Sequence, residues 1–180
     1  RKVSTYGRNV TTKLAGEAAE QGIVIVSGLA LGVDALSHQA ALDAGGRTIA
    51  VLPSSVDTVY PATNRHLAQR ILDNGGVLVS EYATTPSVRR EYFIARNRLI
   101  SGLSNATLIT EAALKSGSLH TARFALEQGR AVLSVPGSIY SDTSVGTNML
   151  LRAGAAPITC VDDILFALGV QRIMTKATPQ

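Results

Sequence analysis

Residues 89–98 form the segment best suited to bind a polyanion. They hold four arginines and one glutamate, which leaves a surplus of three positive charges. If a helix begins near Phe93, then Phe93, Arg96 and Asn97 share one face, because side chains three and four positions apart are neighbours on a helix. An aromatic ring beside guanidinium and amide groups suits a stacked base and its phosphate. The pattern equally fits a helix that buries Phe93 and leaves the arginines in solvent, and the segment alone does not decide.

Three loops rich in glycine and hydroxyl side chains could donate hydrogen bonds to phosphate. Each follows an apolar run and precedes a helical pattern, so its backbone N–H groups and the helix dipole can face an anion. Each could equally be an ordinary turn with a serine cap. Three such loops at one edge of a sheet are stronger evidence than one, and their candidate donors are Ser27, Gly28, Gly32, Lys115, Ser116, Gly117, Ser118 and Gly137.

Asp34 and His38 could form a catalytic acid–base pair, because a spacing of four places them on one helical face. The simpler interpretation, which we favour, is an acidic residue that suits the helix dipole and a histidine hydrogen-bonded to its neighbours. Glu111 could supply another carboxylate, but no second acidic residue stands near it in the sequence. We therefore predict no catalytic residues.

The composition indicates one folded domain. The chain has 180 residues, 46% hydrophobic and 17% charged, which is enough to bury a sizeable core. Lysine and arginine outnumber aspartate and glutamate by 17 to 13, so the net charge of +4 is mild. Cys160 is the only cysteine, which excludes an internal disulfide and a cysteine-based metal site, and we predict no metal and no cofactor. No run of 18 apolar residues and no signal segment is present, so we predict a cytoplasmic protein without a membrane partner.

Apolar runs that alternate with helical patterns predict an α/β fold with a doubly wound, mostly parallel sheet of extended Rossmann type. We predict strands at 23–27, 48–52, 77–80, 107–110, 131–135 and 157–161, and helices at 8–21, 33–44, 64–74 and 118–128 that end at glycine. The domain covers residues 1–170, and residues 171–180 form a tail or linker. The chain enters a helical pattern almost at once, so we expect the first strand of the sheet to lie upstream of Arg1.

The order of these motifs resembles that of the DNA-processing protein A (DprA/Smf) family over residues 1–168. The ordered set is much more specific than any single motif. It comprises Ser27-Gly28-x-Ala30-x-Gly32-x-Asp34-Ala35-x-x-His38, Arg47-Thr48-Ile49-Ala50-Val51-Leu52, Tyr60-Pro61-x-x-Asn64, Ser80-Glu81, Phe93-x-x-Arg96-Asn97-Arg98-x-Ile100, Ser116-Gly117-Ser118-x-x-Thr121-Ala122 and Val135-Pro136-Gly137. The chain departs from the family at residues 53–57, where a glycine-containing turn is common, and we assign Asp57 no role.

The resemblance implies a single-stranded DNA-binding protein of natural transformation and recombination. Such a protein protects incoming DNA, helps to load the RecA recombinase and catalyses no reaction. By the same resemblance, Arg1 ends a Gly-Ser-Arg motif and lies with Lys2 at the mouth of a DNA-phosphate pocket. The serine and glycine loops line that pocket, and Phe93 stacks on a base. The remaining residues expected to contact DNA are Arg90, Arg96, Asn97 and Arg98.

The alternative function is a nucleotide-processing enzyme of the lonely-guy (phosphoribohydrolase) type on a related fold. Those enzymes need a Pro-Gly-Gly-x-Gly-Thr-x-x-Glu loop, in which the glutamate helps to cleave the N-glycosidic bond. Here Pro136-Gly137 is followed by Ser138-Ile139, and no glutamate follows in the next helical segment. We therefore favour the DNA-binding interpretation.

Residues 161–168 predict a short helix that could join two copies of the chain. Ile164, Leu165 and Leu168 lie on one side of it. That side could equally close the core, and the sequence alone does not decide. The resemblance favours a homodimer, because members of the family pair through the end of this domain.

Overall fold

The computed structural model describes residues 3–83 and 88–173, in which strands and helices alternate along the chain. The strands are β1 (Ile25–Ser27), β2 (Thr48–Val51), β3 (Val77–Val79), β4 (Ala106–Ile109), β5 (Ala131–Ser134) and β6 (Ala156–Pro157). The helices are α1 (Thr5–Glu20), α2 (Val33–Asp43), α3 (Arg65–Asp73), α4 (Arg90–Gly102), α5 (Ser118–Glu127), α6 (Val145–Arg152) and α7 (Val161–Leu168). The alternation confirms the predicted α/β class.

The described strands form two parallel sheets, in the orders β1-β2-β3 and β4-β5-β6. Ile25 lies beside Thr48 in the first sheet, and Leu108 lies beside Leu133 in the second. Parallel neighbours need a crossover connection, and a helix supplies one between each pair of successive strands within a sheet. The parallel arrangement is as predicted, but β1 and β4 are not paired with each other, so the described strands make two sheets instead of one. The strand expected upstream of Arg1 stays a prediction.

Helix α1 packs against both halves of the core. Leu14 shares a buried cluster with Leu133 of β5 and with Ile158. Ala18, one turn further on, lies in a second cluster against which Ile25 of β1 packs. Because one helix covers apolar side chains of both sheets, the two sheets belong to one folded body.

The predicted glycine stops are confirmed. The backbone reverses from helix to strand at a glycine in the left-handed region, where other residues are strained. These residues are Gly22, Gly45, Gly75 and Gly129, with φ of 77°, 72°, 72° and 67°.

The end of the domain differs from the prediction. A strand was predicted at 157–161, and one is present there, but its predicted bounds are wrong, because β6 ends at Pro157 and α7 begins at Val161. The carboxylate of Asp163 accepts hydrogen bonds from the N–H groups of Thr159 (2.7 Å) and Cys160 (3.2 Å). N–H groups committed to a helix cap cannot also pair in a sheet. In the predicted tail, the N–H of Ile173 donates to the side chain of Gln21, the C-cap of α1, and residues 174–180 lie outside the described residues.

Candidate functional site

Helix α4 connects loops that follow three strands. The Arg96 guanidinium donates to the carbonyl oxygen of Gly28 (2.6 Å) after β1 and to that of Val51 at the end of β2. The Asn97 amide donates to the carbonyl oxygen of Gly117 (3.4 Å) after β4. The carboxyl ends of parallel strands meet at one edge, and open α/β sheets bind ligands there. The loops singled out by the sequence therefore come together along α4.

The loop after β1 is held from inside the protein. Leu29 is fully buried with φ of 57°, and its carbonyl oxygen accepts a hydrogen bond of 2.8 Å from Asn64. The N–H of Ala30 donates to the Asp34 carboxylate (3.2 Å). Gly28 is buried too, which corrects the expectation that its backbone lines an open pocket.

Ser27 and Gly32 flank this buried turn and remain partly exposed. Gly32 is the N-cap of α2, with φ of 95° and no side chain to occupy the first N–H groups of the helix. These N–H groups can face an anion. Of the loop's predicted donors, the structure thus keeps Ser27 and Gly32 at the surface.

Arg96 does not share an exposed face with Phe93, contrary to the sequence-based expectation. Its side chain is buried, at 2% exposure, and points toward Gly28 and Val51. Burial lowers the pKa of Arg96, while the nearby Asp34 carboxylate acts in the opposite direction. The geometry therefore gives this guanidinium internal partners instead of a place at the surface.

Two pairs of aromatic rings surround the start of α4. Phe93 is half-buried, and its ring centroid lies 5.5 Å from that of Tyr60 in an edge-to-face arrangement. Tyr82 and Tyr92 lie 4.7 Å apart, with their rings tilted by 32°. Aromatic side chains that keep part of their surface exposed are the usual platforms for unpaired bases.

The other arginines of the segment remain at the surface. Arg90, the first residue of α4, is exposed. Arg98 is exposed as well and forms an ion pair with Glu81. Because a partner carboxylate already neutralises Arg98, Arg90 is the better placed of the two to meet a phosphate.

The loop after β4 presents hydroxyl groups at the start of α5. The Ser116 and Ser118 hydroxyls lie 2.8 Å apart, and Ser116 Oγ accepts a weak hydrogen bond from the N–H of Ser118 (3.4 Å). Gly117 is the N-cap, and Lys115 is exposed beside it. These four residues are at least partly exposed, and their contact with phosphate stays a prediction.

Gly137, in the loop after β5, already has internal partners. Its N–H donates to Asn148 Oδ1 (3.2 Å), and its carbonyl oxygen accepts from Asn148 Nδ2 (3.0 Å). The expected role of this residue as a backbone donor to phosphate is therefore not supported by the geometry.

Glu111 follows β4 and lies at the start of α1. Its carboxylate accepts hydrogen bonds from the N–H (3.0 Å) and the hydroxyl of Ser4, the N-cap of that helix. Burial acts to raise the pKa of Glu111, but the hydrogen bonds from Ser4 and Thr143 outweigh it and lower the pKa. The group is held as an ionised acceptor, which is unsuited to act as a general acid.

His38 is not part of a catalytic pair. It is fully buried, and its Nδ1 lies 2.6 Å from the hydroxyl of Thr48. Burial lowers the pKa of His38 to about 4, against a smaller opposite effect of Asp34. A neutral histidine inside the core agrees with the simpler interpretation of this residue.

Five further residues were predicted to contact DNA or a second copy of the chain. Arg1 and Lys2 lie outside the described residues. Ile164 and Leu165 are buried in the core and Leu168 packs against it, so the expected exposed dimer face is wrong at these positions. They turn inward because α7 closes the cluster around α1 and β5.

The described residues contain neither a metal-binding cluster nor a membrane-spanning helix. No group of three or more histidine, cysteine, aspartate or glutamate side chains there could hold a metal ion. No helix among the same residues is long and apolar enough to cross a bilayer.

Sequence reasoning missed the side chains that support the site from behind. Tyr60 and Asn64 belong to the Tyr-Pro-x-x-Asn motif of the sequence. Only the fold shows that Tyr60 contacts Phe93 and that Asn64 donates a hydrogen bond to Leu29. Ser4 and Glu111 are 107 positions apart. No periodic pattern links residues at that separation.

Comparisons with known proteins agree on one family. A family model described as DNA recombination-mediator protein A matches residues 1–169. Protein Smf of Escherichia coli is 44% identical over 90% of this chain and 43% of its own length. The X-ray structure of DNA processing protein A from Streptococcus pneumoniae has a TM-score of 0.83 and 39% identity, over 91% of this chain and 57% of that one. DNA processing protein A of Helicobacter pylori, which binds single-stranded DNA, gives 0.83 and 38% over 93% and 75%. The chain spans about half the length of the curated relatives it matches.

Proposed function

Because the chain belongs to the DNA recombination-mediator protein A family, we propose that it binds single-stranded DNA along the carboxyl edge of its sheets. The observation that carries the proposal is the position of α4: its Arg96 and Asn97 bond the loops after β1 and β4, and the same helix carries a half-exposed Phe93 and an exposed Arg90. The single-stranded DNA binding of the Helicobacter pylori relative supports it.

Phosphate and base meet different residues in this proposal. Phosphates contact the exposed side chains and helix N-termini along the edge, and a base stacks on Phe93. Backbone N–H, hydroxyl and cationic groups recognise phosphate without reading sequence, so binding is largely independent of base sequence. The phosphate-binding set is Arg1, Lys2, Ser27, Gly32, Arg90, Lys115, Ser116, Gly117 and Ser118.

A salt titration tests the proposal. Affinities for a single-stranded oligonucleotide and for the matched duplex are measured between low and high salt. Counterion release predicts that log affinity falls linearly with log salt, by about 0.7 per phosphate contacted on a single strand. Equal affinity at low and high salt, or a preference for the duplex, contradicts the proposal.

The site carries out no catalysis in this proposal. Two candidate acid–base residues of the sequence are held by internal partners. His38 is buried and neutral beside Thr48, and the Glu111 carboxylate accepts hydrogen bonds from Ser4. The phosphoribohydrolase alternative requires cleavage of an N-glycosidic bond. Incubation with nucleoside monophosphates, followed by chromatography for free base, distinguishes the two, because release of base supports the enzyme.

The proposal extends to the fate of the bound strand, which is protected and passed to a RecA-type recombinase in the cytoplasm. The recombination-mediator description of the family supports this step. Two measurements test it: the lifetime of a bound oligonucleotide in the presence of a nuclease, and DNA-dependent ATP hydrolysis by the recombinase with and without this protein. No change in either contradicts the step.

Two copies of the chain pair through the end of the domain. Ile164 and Leu165 are buried, so the contact uses the apolar side chains that remain exposed there, namely Phe166, Val170 and Ile173. Phe166 is 89% exposed, and burial of such a phenylalanine against a partner lowers the free energy of the complex.

A further inference from the structure

Arg96 lies between the loop after β1, the end of β2 and helix α4. We propose that Arg96 is a positioning residue for DNA binding, which fixes the Phe93 end of α4 against the loop after β1, and that it does not contact phosphate. The inference rests on the proposed function and concerns the internal support of the same site.

The hydrogen bonds of Arg96 join elements that are distant in sequence. One guanidinium nitrogen donates to carbonyl oxygens at Gly28 and Val51, which lie 68 and 45 positions away. Both acceptors stand at strand ends, so the arginine ties β1 and β2 to α4. With 2% of its surface exposed, it cannot reach a phosphate without a rearrangement of α4.

The space beside Gly28 is fitted to this guanidinium. A Cβ atom at position 28 would lie 2.5 Å from Cζ and 2.6 Å from Nη1 of Arg96, and the three nearest atoms all belong to Arg96. Separations this short are not tolerated between unbonded carbon and nitrogen atoms. Any side chain at position 28 would therefore displace the Arg96 guanidinium from its present place.

A lysine at position 96 cannot reproduce these hydrogen bonds. Arginine presents several donors in a rigid planar fork, whereas the lysine ammonium is a single point on a flexible stem. A lysine at 96 keeps the charge but holds the two carbonyl groups less firmly. The charge of Arg96 and its positioning can thus be separated by a conservative substitution.

Loss of this support weakens DNA binding without removing a phosphate contact. Phe93 precedes Arg96 by nearly one helical turn, so a shift of α4 moves the stacking residue relative to the donors at Ser27 and Gly32. A binding site loses affinity when the residues that orient its contacts are removed, even if every contact residue remains.

The test compares Arg96→Lys, Gly28→Ala, Arg96→Met and the double variant Gly28→Ala/Arg96→Met with Arg90→Ala. Affinity for single-stranded oligothymidine is measured across a salt series, and urea unfolding is measured without DNA. We expect Arg96→Lys and Gly28→Ala to bind about tenfold more weakly, which corresponds to about 1.4 kcal/mol, with an unchanged salt slope. Arg90→Ala should flatten the slope by about 0.7. The double variant should be no less stable than Arg96→Met alone, because the atoms that crowd the new methyl group are gone.

Two outcomes overturn the proposal. A slope that flattens in Arg96→Met, which removes the charge, as it does in Arg90→Ala shows direct phosphate contact. Unchanged affinity in folded Arg96→Lys shows a purely structural side chain. If Arg96→Met does not fold, Arg96→Lys and Gly28→Ala decide, since both keep the positive charge. Failure of the unsubstituted protein to bind the oligonucleotide refutes the proposed function itself, whereas a flattened slope refutes only this inference.

Discussion

The imidazole of His38 has a single available tautomer. Its Nδ1 faces the Thr48 hydroxyl at 2.6 Å, and that hydroxyl donates to the carbonyl oxygen of Ile25 at the same distance. Thr48 has only one hydroxyl hydrogen to donate, so the proton of the imidazole lies on Nδ1. The buried Nε2 atom has no hydrogen-bond partner among the described residues. A second proton there would create a buried charge without a partner.

Burial of this imidazole makes the stability of the protein depend on pH. The ordinary histidine pKa of 6.5 falls to about 4 in the folded protein, so between these values the unfolded chain binds a proton that the folded chain does not. The free energy of unfolding should therefore fall as the pH drops from 6.5 to 4, by about 3 kcal/mol in total from this group. Urea unfolding at a series of pH values measures it.

Two histidine variants isolate the effect. His38→Gln should remove most of the pH dependence in that window, although it also lowers stability at neutral pH. His120→Gln replaces an exposed histidine and should leave the dependence in place. If both variants keep the parent's slope, burial of His38 is not its source.

Phe93 and Arg90 should contribute to DNA binding through different physics. Phe93→Ala should remove base stacking, worth roughly 1–3 kcal/mol per base, and leave the salt slope nearly unchanged. Arg90→Ala should weaken binding mainly at low salt and reduce the slope by about 0.7. Oligonucleotide titrations at several salt concentrations measure both effects. Because Phe93 also contacts Tyr60, each variant must first melt like the parent.

The sequence predicted which residues belong to the site better than it predicted where their side chains point. Phe93 and Arg96 are three positions apart on a helix, as expected, yet the arginine points inward. Helical periodicity places a Cα on a face but does not determine where a long side chain ends. The absence of a side chain at Gly28 creates the space that Arg96 occupies, and only the fold brings these two positions together.

At the scale of elements, two glycines of α1 should respond to alanine in opposite ways. Gly16 has open surroundings, since an added Cβ would come no closer than 3.7 Å to the Ala40 carbonyl oxygen. Gly16→Ala should stabilise the protein by about 0.5–1 kcal/mol, because alanine loses less backbone entropy in a helix. Gly7→Ala would place a Cβ 2.7 Å from Cδ of Glu111. It should destabilise by about 1–3 kcal/mol, because the carboxylate must give up its bonds to Ser4.

The stabilities of the two variants are measured by thermal and urea unfolding. Gly16→Ala and Gly7→Ala serve as controls for each other. The same substitution in the same helix excludes a difference in helix propensity. Stabilisation by Gly7→Ala would mean that Glu111 moves aside without cost.

The ends of helices were predicted well where a single glycine determines them. The four helices that were predicted to end at a glycine do end at glycines with positive φ. A strand was predicted over 157–161 because this segment is rich in apolar residues that favour strands. Its end is instead the start of a helix, because Asp163 caps α7 three residues after Cys160. A cap of this kind overrides weak strand preference.

For the whole molecule, the proposed homodimer should depend on Phe166. Phe166→Asp should shift the protein to monomer in sedimentation at high micromolar concentration, because a charge cannot be buried in an apolar contact without a partner. The fold should be unaffected, since the side chain is exposed. Leu126→Asp changes a side chain with 62% exposure on α5 and serves as the control. A dimer that persists in Phe166→Asp, or a parent protein that is monomeric, contradicts the proposal.

Because α1 covers both sheets, neither sheet can unfold alone. Release of α1 from β1 would also uncover the apolar side chains around Leu133 and Ile158. The molecule should thus behave as one cooperative unit, in which the amide protons of α1 exchange with solvent only through global opening. The exposed amides of Lys115 and Gly117 in the loop after β4 are not subject to this constraint and should exchange through small local fluctuations. A protein built in this way can adjust that loop repeatedly while the body that carries it keeps its full thermodynamic stability.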